Sequence, residues 1–347
     1  MHLHALTTAV PPHTFTQAEC WEKVSASPLR GQLSRRSMLT LRAILTRDSG
    51  IATRHFALAD PERLFASSPD DLNSHFRVAA PALAGEALTR ALDQAGVAAN
   101  EIDALLVCTC TGYLCPGISS YVAEQLGLRT DTFLQDLVGL GCGAAIPTLR
   151  AAAALCAATP DALVATVAVE ICSAAFYLDD DPGVLVSACL FGDGAAAALW
   201  RATPGPSGIR AHHFTTTHRP AERDKLRFEQ RGGRLRNRLH PTVPALAADA
   251  VRELFAREHE RPPARILSHP GGRDVLDALE PVLPDHSLAT SRQVLRAHGN
   301  MSSPSVLFAL EDALRAGTPE AGADWWLVSF GAGFSAHACR LSTGPNS

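Results

Sequence analysis

No stretch of this 347-residue chain reads as both long and charge-free enough to span a bilayer; the longest alanine-rich run, Ala144 to Ala158, is interrupted by Arg150 and reads as a core helix. No charged-then-apolar leader opens the chain, and no segment has the composition of a disordered tail. Paired cysteines are missing as well. The 9 cysteines are scattered and odd in number, and no C-x-x-C or histidine cluster accompanies Cys108, Cys110 and Cys115, which argues against a disulfide framework and against a metal site. A reduced cytoplasmic setting is the expectation. Charge of either sign is not in large excess, and a net charge of −4 argues against a general nucleic-acid binder.

What is present is apolar. With 46% hydrophobic and 19% charged residues, the chain can bury a large core, and the break at Pro204-Gly205-Pro206-Ser207-Gly208 suggests two similar halves, 1–205 and 206–347. The first half reads as an N-terminal helical region, a helix from about Ala80 to Ala95, and strands at Leu105, Thr132–Val138, Leu163–Glu170 and Gly194–Trp200. The second has a long helix around Ala245 to Glu258, a strand at Arg265–Ser268, and two strands flanking Gly331.

Three small-residue loops carry candidate chemistry. Cys142 lies in Leu140-Gly141-Cys142-Gly143-Ala144-Ala145, between the short strand Thr132–Val138, read as buried, and an Ala/Leu helix. Backbone N–H groups and the helix dipole at such a junction favour thiolate, and Gly141 and Gly143 leave room for a substrate, although a buried structural thiol has the same sequence signature. His269 follows the strand Arg265–Ser268 and precedes Pro270-Gly271-Gly272, at a strand's carboxyl end where ligands gather in open α/β folds. Asn300 precedes Ser302-Ser303-Pro304, where a serine cap and a proline announce a helix; it either stabilises that turn or donates to an oxyanion.

In this order, and together with Leu190-Phe191-Gly192-Asp193-Gly194-Ala195-Ala196-Ala197 and Phe330-Gly331-Ala332-Gly333, the loops resemble those of the type III polyketide synthases. That is the chalcone and stilbene synthase family of the thiolase-like condensing enzymes, and the resemblance runs over most of the chain. It implies an α/β fold of five layers, αβαβα, built from two similar halves, and a homodimer. It implies that Cys142 accepts the acyl group while His269 and Asn300 activate it and hold a decarboxylated malonyl enolate. Phe191 then matches a gatekeeper, Cys110, Thr111, Cys172, Ser302, Phe330 and Gly331 line the pocket, and Cys115 lies near the subunit interface. Arg47, Arg54 and His55 are the candidates for coenzyme A contacts.

Two departures from the family pattern stand out. Ser329 and Ala332 replace the first glycine and the proline of the family's closing Gly-Phe-Gly-Pro-Gly, and Leu235–Leu239 carries Arg236, Asn237 and Arg238 where plant enzymes have a second gatekeeper phenylalanine. From Arg219 to Arg238 there are 8 Lys/Arg against 3 acids, read as a solvated basic loop or as an approach for coenzyme A phosphates or an acyl carrier protein. The activity implied is iterative decarboxylative condensation of malonyl-coenzyme A onto an acyl-coenzyme A starter, then cyclisation to an aromatic polyketide or pyrone, with no metal or redox cofactor. The rival readings are a single-condensation β-ketoacyl-acyl carrier protein synthase III and a non-catalytic scaffold.

Overall fold

A computed structural model of the chain describes residues 1–58, 67–257 and 262–343. Its elements in the first half are β1 (His2–Ala9), β2 (His13–Thr16), α1 (Gln17–Ala26), α2 (Arg35–Thr46), β3 (Thr53–Phe56), α3 (Pro69–Ala95), β4 (Ala104–Thr109), α4 (Ile118–Leu126), β5 (Phe133–Val138), α5 (Ala145–Ala158), β6 (Val164–Glu170), α6 (Pro182–Leu190) and β7 (Gly194–Arg201). Then follow β8 (Ile209–His218), β9 (Leu226–Arg231), β10 (Arg234–Leu239), α7 (Val243–Phe255), β11 (Arg265–Ser268), α8 (Arg273–Leu279), α9 (Ala289–His298), α10 (Ser305–Ala316), β12 (Asp324–Gly331) and β13 (Ser335–Thr343).

Strands β4 and β6 are apolar at almost every position, not at every second one, and every residue of both is buried. Such strands need cover on both faces. They belong to a nine-stranded mixed sheet of order β11-β12-β13-β8-β1-β7-β6-β4-β5, in which β1 and β8 meet only at His2 and Arg210. The sheet therefore has two arms. One core cluster joins α5 and α10 to the inner faces of both arms through Ile146, Leu149, Leu307, Leu310 and Trp200. A second packs α3 on the outer face of the β4–β6–β7 arm, and a third packs α7 and α8 on the outer face of the β11–β12–β13 arm. The resulting order is helix, sheet, helix, sheet, helix, the five-layered thiolase-like α/β arrangement that the resemblance implied.

Several elements differ from the sequence reading. The run Gly141–Ala158 has the length and composition of a membrane span, contrary to the expectation, although it carries Arg150 on the exposed side of α5. Its apolar side chains pack into the central helical layer. Strand β5 is not buried. It pairs only with β4, and Phe133, Leu134 and Val138 are 50%, 37% and 52% exposed, so its apolar pattern belongs to an uncovered edge. Helix α3 starts at Pro69, not near Ala80, because Ser68 and Asp71 form a capping box and Pro69 occupies the first turn. Helix α7 ends at Phe255, and the expected end at Glu258 lies outside the described residues.

The two arms also touch at one turn. A Cβ added to Gly331, at the end of β12, would stand 2.5 Å from Gly143 N and 2.8 Å from Cys142 N, so only glycine allows the approach. Gly331→Ala is expected to cost about 1–3 kcal/mol by overpacking, read as a lowered thermal midpoint in circular dichroism; an unchanged midpoint would show that the turn yields freely.

Candidate active site

Each of the three loops is held by backbone geometry before any side chain reaches the site. Cys142 sits in a single 3-10 turn, Gly141–Gly143, between β5 and α5. Gly141 has φ +57°, and a Cβ there would lie 2.9 Å from Ala332 N. The glycines flanking Cys142 thus admit the 331–332 turn of the protein itself, which corrects the expectation that they make room for substrate. Ser329, a departure from the family loop, donates to Gly143 O at 3.0 Å and anchors the same turn.

His269 follows β11, and its N–H donates to Val328 O at 2.8 Å, extending the parallel pairing of β11 with β12. Its ring stands edge-on to Phe330 at 5.3 Å between centroids, and its buried Nδ1 has no hydrogen-bond partner. Asn300 is bridged to Phe191: Asn300 N donates to Leu190 O, and Gly192 N donates to Asn300 O, both at 3.0 Å. The Asn300 side chain is oriented from both ends, with Nδ2 donating to Gly271 O at 3.1 Å and Oδ1 accepting from Ser302 N at 2.7 Å. Cys142, His269, Asn300, Phe191 and Phe330 all line one cavity of about 830 Å³.

Under the cysteine lies a carboxylate that the sequence reading passed over. Glu170, at the end of β6, is fully buried. Its Oε2 accepts from Cys110 N (2.9 Å), Thr111 N (3.1 Å), Thr111 Oγ1 (2.9 Å) and Thr109 Oγ1 (3.2 Å). Its Oε1 accepts from Ser303 Oγ at 2.6 Å and Ser302 Oγ at 3.3 Å. Ser303 is therefore engaged below the site and caps no helix, so α10 begins only at Ser305, contrary to the expected serine cap. Ser302 Oγ also lies 3.2 Å from both Cys142 Sγ and Cys110 Sγ. The available signal was a lone acid closing the apolar strand Val-Ala-Thr-Val-Ala-Val-Glu.

Electrostatics at the cysteine run against the expected thiolate. Burial pushes the Cys142 thiol up to about 12, opposed by the Ser302 hydrogen bond and reinforced by the Glu170 charge. Burial likewise pushes His269 down to about 3. Each group alone is neutral at physiological pH. The 3-10 turn sets Cys142 ahead of the first turn of α5, and desolvation outweighs the helix dipole there. A thiolate and an imidazolium can form here only together, each offsetting the other's burial.

The remaining candidates divide into two groups. Cys110 and Cys172 lie near Cys142, and burial raises both thiols. Thr111 is committed to Glu170 and to Ile171 N (2.9 Å), so it shapes the floor and does not face the cavity. Cys115 is exposed in the loop before α4. Arg47 lines the cavity where it opens to solvent, with Arg238 and Arg273. Arg54 does not: it is buried, and its guanidinium donates to Ala188 O (2.6 Å), Phe191 O (2.9 Å) and Gln17 Oε1 (3.0 Å), clamping the Phe191 turn. His55 packs tilted against His298 at 5.1 Å between centroids, away from the lining. Arg54 commits Nε and Nη1 inside the fold, and burial lowers the His55 imidazole below its ordinary value, so neither offers a charge to a phosphate at the cavity. In the region of the second gatekeeper, Arg236 pairs with Asp181 and Asn237 Nδ2 donates to Ser187 Oγ at 2.8 Å, both buried.

Comparison with known proteins matches residues 12–225 to a family model described as FAE1/type III polyketide synthase-like protein, and residues 238–342 to the C-terminal domain of chalcone and stilbene synthases. The 1,3,6,8-tetrahydroxynaphthalene synthase of Streptomyces peucetius subsp. caesius is 34% identical over 97% of this chain and 92% of that enzyme. A 3,5-dihydroxyphenylacetyl-CoA synthase of Streptomyces toyocaensis is 32% identical over 82% of this chain and 78% of its own length. The crystal structure of the 1,3,6,8-tetrahydroxynaphthalene synthase of Streptomyces coelicolor A3(2) superposes with a TM-score of 0.89 at 28% identity, covering 100% of both chains.

Ser302→Ala removes the hydrogen bond that favours the charged sulfur, so the Cys142 thiol rises further. The pH profile of iodoacetamide inactivation is expected to move to higher pH, with slower labelling at pH 7; a profile that stays in place would take Ser302 out of the thiol's environment.

Proposed function

The chain belongs to the type III polyketide synthases of the chalcone and stilbene synthase family and is an acyltransferase-type condensing enzyme; on that footing we propose that it extends an acyl-coenzyme A starter by repeated condensation with malonyl-coenzyme A. The observation that carries this reading is the convergence of Cys142, His269 and Asn300 on one cavity from three separate loops. Cys142 Sγ attacks the starter thioester as its proton passes to the His269 ring nitrogen that faces the cavity and stays there, and coenzyme A leaves as its thiolate and takes a proton from solvent. Malonyl-coenzyme A then loses carbon dioxide, and the electron pair left behind forms an enolate whose oxygen accepts from Asn300 Nδ2 and His269. The enolate carbon attacks the acyl thioester and expels Cys142 thiolate. The Gly271 and Ser302 contacts hold the Asn300 amide in place before substrate arrives, which is the preorganisation such donors need.

In this reading the coenzyme A arm enters past Arg47, Arg238 and Arg273, with guanidinium groups meeting phosphates, and Phe191 narrows the passage. The relatives' names, a 1,3,6,8-tetrahydroxynaphthalene and a 3,5-dihydroxyphenylacetyl thioester, describe rings oxygenated at alternate carbons, the pattern left by head-to-tail two-carbon units. An aromatic product of that class is proposed here. A homodimer through the β5 edge completes the reading. Phe133, Leu134 and Val138 are uncovered there, and the loop carrying Tyr113, 75% exposed, and Cys115 leads from the neighbouring strand β4.

Product masses after incubation with malonyl-coenzyme A, alone and with aromatic and short-to-long acyl-coenzyme A starters, are expected to rise by more than one ketide unit. A single addition, or none, would overturn the iterative assignment. Asn300→Ala is expected to slow release of carbon dioxide from malonyl-coenzyme A by about 10²–10³-fold, the cost of one oxyanion donor, with the thermal midpoint close to wild type.

A further inference from the structure

In the family pattern a proline stiffens the closing turn, and here Ala332 stands in its place without a locked φ. That turn is the wall against which the Cys142 turn is pressed: a Cβ on Gly141 would meet Ala332 N, and one on Gly331 would meet Gly143 N. Whatever holds the wall therefore holds the nucleophile. The strand register sets Ser329 of β12, His337 of β13 and Thr216 of β8 side by side in one row. Ser329 Oγ donates to Gly143 O at 3.0 Å, and the His337 ring closes the space beside the same glycine, where an added Cβ would stand 3.2 Å from His337 Cδ2. The histidine is 6% exposed, and both ring nitrogens are engaged, Nδ1 with Thr216 Oγ1 at 3.1 Å and Nε2 with Ser335 Oγ at 3.0 Å. Ser335 Oγ in turn donates to Ala332 O at 3.1 Å. Burial first, then the neighbouring His218 and Arg150, pushes His337 down to about 4, so the ring is neutral at physiological pH and carries one proton. Ser335 gives its only proton to Ala332 O, so it accepts from Nε2–H, and Nδ1 accepts from Thr216 Oγ1. The chain of hydrogen bonds runs one way, from Thr216 through His337 and Ser335 to the Ala332 carbonyl.

We propose that His337 is a positioning residue for the condensation, holding the closing turn through Ser335 and the Cys142 turn by its contact with Gly143, in place of the missing proline; the proposal rests on the condensing reading above. His337 does not line the cavity, so its effect passes through the backbone of the two turns. Three glycines, Gly141, Gly143 and Gly331, meet where the turns touch, and glycine leaves the backbone its widest freedom. Without a proline or the hydrogen-bond chain, Cys142 is free to shift against His269 and Asn300. A misplacement of about 1 Å costs on the order of 10²-fold in rate. Ala332 N donates no hydrogen bond among the described residues, so a proline introduced at 332 removes none.

The test measures condensation of malonyl-coenzyme A by the full chain, comparing wild type with His337→Phe, His337→Gln, Ser335→Ala and the double variant H337F/A332P. Phenylalanine keeps the packing of a ring and removes its hydrogen bonds. It is expected to lower kcat by about 10–100-fold, with KM for malonyl-coenzyme A within about twofold of wild type, because the arginines at the cavity opening are untouched. Glutamine keeps an amide N–H for Ser335 and is expected to retain most of the activity. A332P is expected to return kcat of the phenylalanine variant to within about threefold of wild type. Ser335→Ala cuts only the last link and should reproduce the fall in kcat, so the outcome does not hang on whether the phenylalanine variant folds. Wild-type kcat in Ser335→Ala would overturn the positioning role. A fall in kcat that A332P leaves unrepaired, or a KM that rises in step with it, would also overturn it, since general disorder of the core gives that result. Absence of condensation by wild type with every starter would overturn the condensing reading itself, and the positioning role with it.

Discussion

A single buried carboxylate organises the floor of the site. Glu170 has no described cation beside it, and its charge is balanced by hydrogen bonds from two backbone N–H groups and four hydroxyls. Buried charge is tolerated only when so satisfied, which fixes the conformation of every donor at once. Those donors come from the end of β4 and from the loop that leads into α10 of the central helical layer. The same hydroxyl of Ser302 that reaches the carboxylate also reaches the cysteine sulfur, so the position of the nucleophile and the seam between the arms are set together. The electrostatic consequence is a cost, because a negative charge near the Cys142 thiol opposes its ionisation.

The upper wall obeys a similar economy of parts. Arg54 holds the carbonyls of Ala188 and Phe191, and the adjoining residues Leu190 and Gly192 pair with the backbone of Asn300. One clamp therefore positions both the Phe191 turn and the Asn300 backbone beside it. Gly299 lies inside this contact, and an added Cβ there would stand 2.8 Å from Leu190 O. Its φ of +69° gives a second reason for glycine.

Much of this was legible from the amino acids. The Cys142 and His269 loops announce themselves by a strand ending in small residues before a helix, the Asn300 loop by a cap signature, and the layered order was implied by the resemblance to the family. Glu170 was harder to read, since its importance depends on hydroxyls 60 and 133 residues away along the chain. Arg54 looked like a phosphate ligand because a sequence shows a charge and not whether its donors are already taken. The strand β5 misled for the opposite reason. An apolar run looks the same whether its own chain covers it or something else must, and only the sheet order places it at an edge. Ser303 carried a cap signature in the right place, yet a buried carboxylate competes more strongly for its hydroxyl than a helix end does.

The protonated state of the resting site has a bearing on its chemical lifetime. Peroxide attacks thiolates far faster than thiols, and the surroundings of Cys110, Cys142 and Cys172 each raise the thiol, burial first. Of these three sulfurs only Cys142 lines the cavity, and raised thiols are poor targets for an oxidant. The solvent meets Cys115 first, in an exposed loop outside the reaction chamber.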